Sequence, residues 1–121
     1  RILGQRPHAA CFGGLGGVFF LEELGRGAVG TMTGFALPEL LVRIYRHWAA
    51  GETGAAREVF YRHLPLIRFE AQLGVGGVAI RKQLFAQRGI IASPTVRGPA
   101  AGVDAQTLTE LLDLLSYLDL R

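Results

Sequence analysis

Two short apolar runs govern what this chain can fold into. HAACFGG (residues 8–14) and GAVGTMTG (residues 27–34) are both rich in glycine, and each is followed by a stretch with helical periodicity. Strand, helix, strand, helix over residues 8–50 is the alternation that sets strands in parallel with helices over their faces. Neither run alternates apolar with polar, so both read as strands buried on both faces. After the first run, VFFLEELGRG places Val18, Leu21 and Leu24 on one helical face and stops at Gly25. After the second, LPELLVRIYRHWAAG opens with Pro38, whose missing N–H costs nothing in a first turn. Leu41, Ile44, Tyr45 and Trp48 then recur at helical spacing, and Gly51 closes the segment.

Two parallel strands do not make a stable sheet, because their edges leave backbone donors and acceptors unpaired. Either further copies complete the sheet or preceding strands do. The second is simpler, and a chain that starts at Arg1 without methionine and moves almost at once into a strand is expected to be a piece of something longer.

From residue 52 the pattern is helical only. ETGAAREVFYRHLPLIRFEAQLG (52–74) carries Ala56, Phe60, Leu64, Ile67 and Ala71 along one stripe, with a kink expected at Pro65. VGGVAIRKQLFAQRG (75–89) is a second helix, and IIASPTVRGPAAG (90–102) is a loop. DAQTLTELLDLLSYLDL (104–120) begins at Asp104, an N-cap residue, and aligns Leu108, Leu111, Leu112, Leu115 and Leu118 as a core or subunit-interface stripe.

Composition narrows the partners. The 121 residues are 50% hydrophobic and 19% charged, which fits one folded domain with a modest core. The net charge is +3, but Arg43, Arg46, Arg57, Arg62, Arg68, Arg81 and Arg88 are dispersed, so no nucleic-acid partner is expected. The single cysteine, Cys11, fits a reducing compartment and reads as a small buried hydrophobe. No uncharged apolar run reaches the roughly 18 residues that cross a bilayer, and RILGQRPH lacks the apolar core of a signal peptide. The expectation is a cytoplasmic protein without a membrane partner.

CFGGLGGVFF holds Gly13, Gly14, Gly16 and Gly17, and this cluster needs its own explanation. A Walker loop requires a lysine at its end, and Lys82, the chain's one lysine, is far downstream. A dinucleotide fingerprint begins at Gly14 and Gly16 but meets Phe19 at its third glycine. What is left is either a tight turn needed only for packing, or bare backbone facing a cavity. Sites in parallel α/β folds lie at the carboxyl ends of strands. There Gly13–Gly17 and the stretch Thr31, Met32, Thr33 and Gly34 would face one pocket.

At this point FGGLGG…EELGRGAVGTMTGFALPELLVRIYRHWAAGETGAAREVFYRHLPLIRF resembles the C-terminal part of the dihydrodipicolinate synthase and N-acetylneuraminate lyase family. These are Schiff-base aldolases on a (β/α)8 TIM barrel with an added helical domain. The likeness rests on a glycine turn after a strand, a G-A-V-G-x-x-[ST] strand, and A-G-[ED]-x-x-x-A-R leading into L-P-L-I-R. It implies that residues 1–51 are the seventh and eighth βα units and residues 52–121 a three-helix extension.

The resemblance implies a lyase acting on pyruvate or another 2-keto acid, with no metal or organic cofactor, in a homo-oligomer. Its imine lysine would lie on the sixth strand, ahead of this chain, so the chain alone would contain no catalytic residue and be inactive. Gly14 matches a glycine whose carbonyl lies near the substrate. Met32 takes the place of an apolar residue packed near the Schiff base, and Thr33 is a candidate hydrogen-bond donor at the same strand end. Leu15 and Gly16 stand where the family carries two acids, which points to a relative of the synthase, such as a sugar-acid aldolase or dehydratase. Two other readings stay open: a non-catalytic half-barrel assembly module and a small anion-binding domain.

Other chemistry-bearing residues read blandly. His8, His47 and His63 have no metal spacing, and His47 and His63 are expected on helix surfaces. Glu22 and Glu23 are expected on a solvated face, and Lys82 on the surface, although Arg81 beside it falls nearer a position that is commonly basic in the family.

Overall fold

The computed structural model describes residues 8–71, 76–99 and 101–121. Strand β1 (Phe12–Gly13) pairs in parallel with β2 (Gly30–Thr31), Phe12 opposite Gly30 and Gly13 opposite Thr31. Backbone hydrogen bonds from Val29 N to the Cys11 carbonyl and from Met32 N to the Gly13 carbonyl, both 2.9 Å, extend the ladder by one step at each end. Between the strands a turn at Leu15–Gly17 leads into helix α1 (Phe20–Gly25). Gly16 and Gly17 take φ of +70° and +85° there, which glycine adopts without a steric cost.

The parallel pairing and the βα order match the reading of the sequence, but the expected double burial of the strands does not hold. Phe12 is 64% and Met32 80% exposed. A parallel strand is covered on both faces only inside a wider sheet, and among the described residues this sheet has two strands.

Helix α2 (Pro38–Ala49) starts on Pro38 and buries Leu40, Leu41 and Ile44. It turns back at Gly51 into α3 (Thr53–Glu70), followed by α4 (Gly76–Gln87) and α5 (Ala105–Tyr117). Asp104 caps α5 by accepting from Thr107 N at 2.8 Å, which holds its carboxyl below the ordinary aspartate range. Helix α3 continues through Pro65 as one α-helix. The ring removes one donor, but burial of Phe60, Leu66 and Ile67 on either side keeps both halves packed.

One apolar core joins the βα part to the helices. Phe20, Leu24, Ile44, Phe60, Leu84 and Leu111 all belong to it. Leu115 and Leu118 place the expected leucine stripe of α5 in this core. His63 is also inside, 4% exposed, contrary to its expected surface position. Its Nδ1–H donates to the Val59 carbonyl at 2.8 Å, so the ring is satisfied within its own helix.

Candidate functional site

Side-chain alternation sorts the strand residues into two faces. Gly13 lies against α1, where the Glu23 carboxylate occupies the space a side chain at position 13 would need. Its register partner Thr31 shares that face, as do Val29 and Thr33, and all three line a mostly apolar cleft of about 460 Å³ with Phe20 of α1 and Leu41 and Tyr45 of α2. This is the helix-covered face. By the same alternation Phe12, Gly14 and Met32 belong to the opposite, open face; Gly30, the register partner of Phe12, also borders the cleft through its backbone.

Gly14 and Met32, two of the three residues singled out in the sequence, meet on that open face. A side chain on Gly14 would come within 3.5 Å of the Met32 carbonyl. Thr33 sits on the other face, beside the cleft, and its hydroxyl accepts from Phe35 N at 3.2 Å. Here Gly13–Gly17 and Thr31–Gly34 occupy neighbouring strand ends, and within the second stretch the side chains divide between the two faces.

The turn after β2 is clamped by Glu70 and Arg88, neither marked as a site residue by its place in the sequence, and by Arg81 through Glu70. Glu70, at the end of α3, is 2% exposed. Its Oε2 accepts from Ala36 N at 2.9 Å and its Oε1 from Arg81 Nε at 2.8 Å. Burial pushes the Glu70 carboxyl above its ordinary value, and the Ala36 N–H and the Arg81 guanidinium oppose that rise. Arg88, just past the end of α4, donates to the Ala36 carbonyl and, at 2.6 Å, to Glu39 of α2. Glu70 from α3 and Arg88 from the end of α4 thus hold the turn between β2 and α2 by its own backbone. The legible signal was an acid on an apolar stripe: Glu70 lies three residues beyond Ile67, and a carboxylate there must find partners.

The remaining candidates fall as follows. Lys82 Nζ donates to the Thr95 carbonyl at 2.9 Å, on α4 and away from the strand ends. Cys11 is a half-buried free thiol. Glu22 and Glu23 are half-buried, and one carboxylate oxygen of each is shielded from water without a partner among the described residues. The solvated face expected for them is therefore corrected: α1 is too short and too closely applied to the strands to hold both acids in water. Among the described residues no three His, Cys, Asp or Glu side chains converge as a metal site, and no helix is long and apolar enough to cross a membrane.

No protein-family model matches the chain. It is similar to the L-2-keto-3-deoxyarabonate dehydratase of Azospirillum brasilense, 32% identical over 102 residues that make up 84% of this chain and 32% of that protein. Its fold matches the crystal structure of dihydrodipicolinate synthase from Rhodopseudomonas palustris with a TM-score of 0.85 and 40% identity, over 92% of this chain and 36% of that one. A Pseudomonas aeruginosa protein described as a dihydrodipicolinate synthetase matches with a TM-score of 0.81 and 27% identity, over 98% of this chain and 40% of that one. The chain thus spans between about a third and two fifths of the length of these relatives. In sequence and fold it matches a C-terminal part of dihydrodipicolinate synthase family proteins, the last two βα units of a TIM barrel and the helices that follow them.

Proposed function

We propose that this chain is the C-terminal part of a lyase that acts on 2-keto acids, pyruvate or a related compound, through a lysine imine. The amine would come from another part of the barrel, since backbone glycines supply no such nucleophile and Lys82 is tied to Thr95 away from the strand ends. Residues 1–51 would stand as the seventh and eighth βα units and residues 52–121 as the helical extension. The exposed face carrying Phe12, Gly14 and Met32 would then line the barrel interior. Gly14 and Met32 would border the substrate there, with Thr33 shaping the turn at the rim. No metal or organic cofactor enters this reading, and the assembled protein would be a cytoplasmic homo-oligomer.

The observation that carries the proposal is the exposure of that one face, with Phe12 64% and Met32 80% open, while α1 and α2 stand on the opposite side of the strands around the cleft. Leu15 and Gly16 at the turn after β1 offer no acid, which together with the similarity to the arabonate dehydratase favours a deoxy sugar acid. The test is turnover by a chimera in which this chain replaces the matching part of the Rhodopseudomonas protein. Activity toward a 2-keto acid supports the reading. A folded chimera inactive toward pyruvate and 2-keto-3-deoxyarabonate alike counts against it.

A further inference from the structure

We propose that Glu70 is a positioning residue: from the end of α3 it fixes the backbone after β2, and through it the place of Met32 at the strand end. The inference deepens the 2-keto acid reading and rests on it. Its basis is how short a stretch of chain separates the buried carboxylate from that strand end. Met32 N donates to the Gly13 carbonyl at 2.9 Å, which ties residue 32 to the end of β1. Four residues on, Ala36 N donates to Glu70 Oε2 at 2.9 Å. Between these anchors Phe35 N donates to the Thr33 hydroxyl at 3.2 Å, closing a local turn. A side chain on Gly34 would overlap the Arg81 guanidinium, so the backbone there runs against a residue of α4. The Met32 carbonyl in turn stands beside Gly14. A displacement passed along residues 36 to 32 is therefore felt at both residues that would border substrate.

The carboxylate is held firmly enough to act as the fixed point. Glu70 is 2% exposed, and its second oxygen accepts from Arg81 Nε at 2.8 Å, so it has no freedom to swing away from Ala36. Burying an ionised group opposes folding unless it is fully partnered, and a well-packed apolar residue often stabilises such a position as well or better. What an apolar residue cannot do is accept from Ala36 N and set where the chain leaves β2. Glu70 acts through Ala36 and touches no substrate.

The test has two readouts, one on the 121-residue chain and one on the Rhodopseudomonas chimera. In the chain, the amide resonances of Met32, Thr33 and Ala36 are followed by NMR below the melting temperature of each variant. Glu70→Ala is expected to shift or split all three. Glu70→Gln, whose amide oxygen can still accept from Ala36 N, should bring Met32 and Thr33 back toward their parent positions. Phe60→Ala, which destabilises the helical half and removes no hydrogen bond, should leave these two where they are. In the chimera, kcat/KM per folded molecule should fall about tenfold or more in Glu70→Ala, since a misplacement of about 1 Å costs on the order of 10²-fold. Glu70→Gln should recover most of that loss, and Phe60→Ala should leave the constant unchanged. Should Glu70→Ala not fold, Glu70→Asp, too short to span Ala36 and Arg81 together, takes its place with the same expectations.

Three results would overturn the assignment: unmoved Met32 and Thr33 amides in the folded variant, the same shifts in Phe60→Ala, or an active chimera whose kcat/KM the Glu70 substitution leaves unchanged. A chimera inactive before any substitution counts against the lyase reading, and the amide readout then decides by itself whether Glu70 positions the strand end.

Discussion

The strand half and the helical half of this molecule bury their apolar residues to different degrees. Phe60, Leu66, Ile67 and Leu111 on α3 and α5 are completely enclosed, whereas Phe12, Leu15, Phe19 and Met32 around the strands are each more than half exposed. Both halves are comparably apolar in sequence, so the difference lies in partners. The helices cover one another and the backs of the strands. The other face of the strands has nothing over it among the described residues. A sheet face left open beside a finished core is what the last strands of a barrel look like without the rest of their barrel.

The contrast gives a ranked set of expectations. Phe60→Ala, in the enclosed half, should cost about 3–5 kcal/mol by urea denaturation, while Phe12→Ala in the open half should change stability by no more than about 0.5 kcal/mol. Equal losses at the two positions would break the comparison.

Glu70→Ala comes next, because it strands the Ala36 N–H and removes the carboxylate that fixes Arg81. A loss of about 3 kcal/mol is expected, toward the low end for a broken buried pair since Arg81 keeps contact with water. It should also broaden or shift the Gly34 amide resonance, which Phe60→Ala should not do selectively.

The two shifted carboxyls should give opposite pH dependence. The folded value of Glu70 lies above its ordinary 4.5, so the folded state holds its proton more tightly. Its contribution is full below that value and is lost as pH rises through the folded one. Asp104 lies below its ordinary 3.8, so its contribution is present above that value and is lost as pH falls through the folded one. Urea midpoints measured against pH should lose the falling limb in Glu70→Gln and the low-pH drop in Asp104→Asn. Coincident profiles for both variants and the parent would contradict these assignments. The smallest effect is expected from Asp104→Ala, which removes an exposed cap and should lower the melting temperature less than Glu70→Ala does.

Much of this fold is legible in the sequence, for identifiable reasons. Pro38 and Gly51 bracket α2, Asp104 caps α5, and the leucines of α5 point where their spacing says. Local rules decide those features. The strands were found in the right order but overextended, since pairing ends where the partner strand ends, a long-range fact. His63 and Glu70 escaped for the same reason. Whether a polar residue on a helix meets water or a packed neighbour depends on elements far away in sequence, here Ala36 and Arg81 for Glu70. Gly14 and Met32 could be placed together from strand-end logic alone. Thr33 could not be assigned a face without knowing which side the helices cover.

The measurement that tests the central claim most directly is borohydride reduction in the presence of pyruvate, read by intact mass on both the 121-residue chain and the Rhodopseudomonas chimera. The expected result is an unmodified 13.1 kDa chain and a chimera that gains one reduced pyruvate on a lysine outside these 121 residues. An adduct on Lys82 of the chain itself, or a folded chimera that gains none, would contradict it.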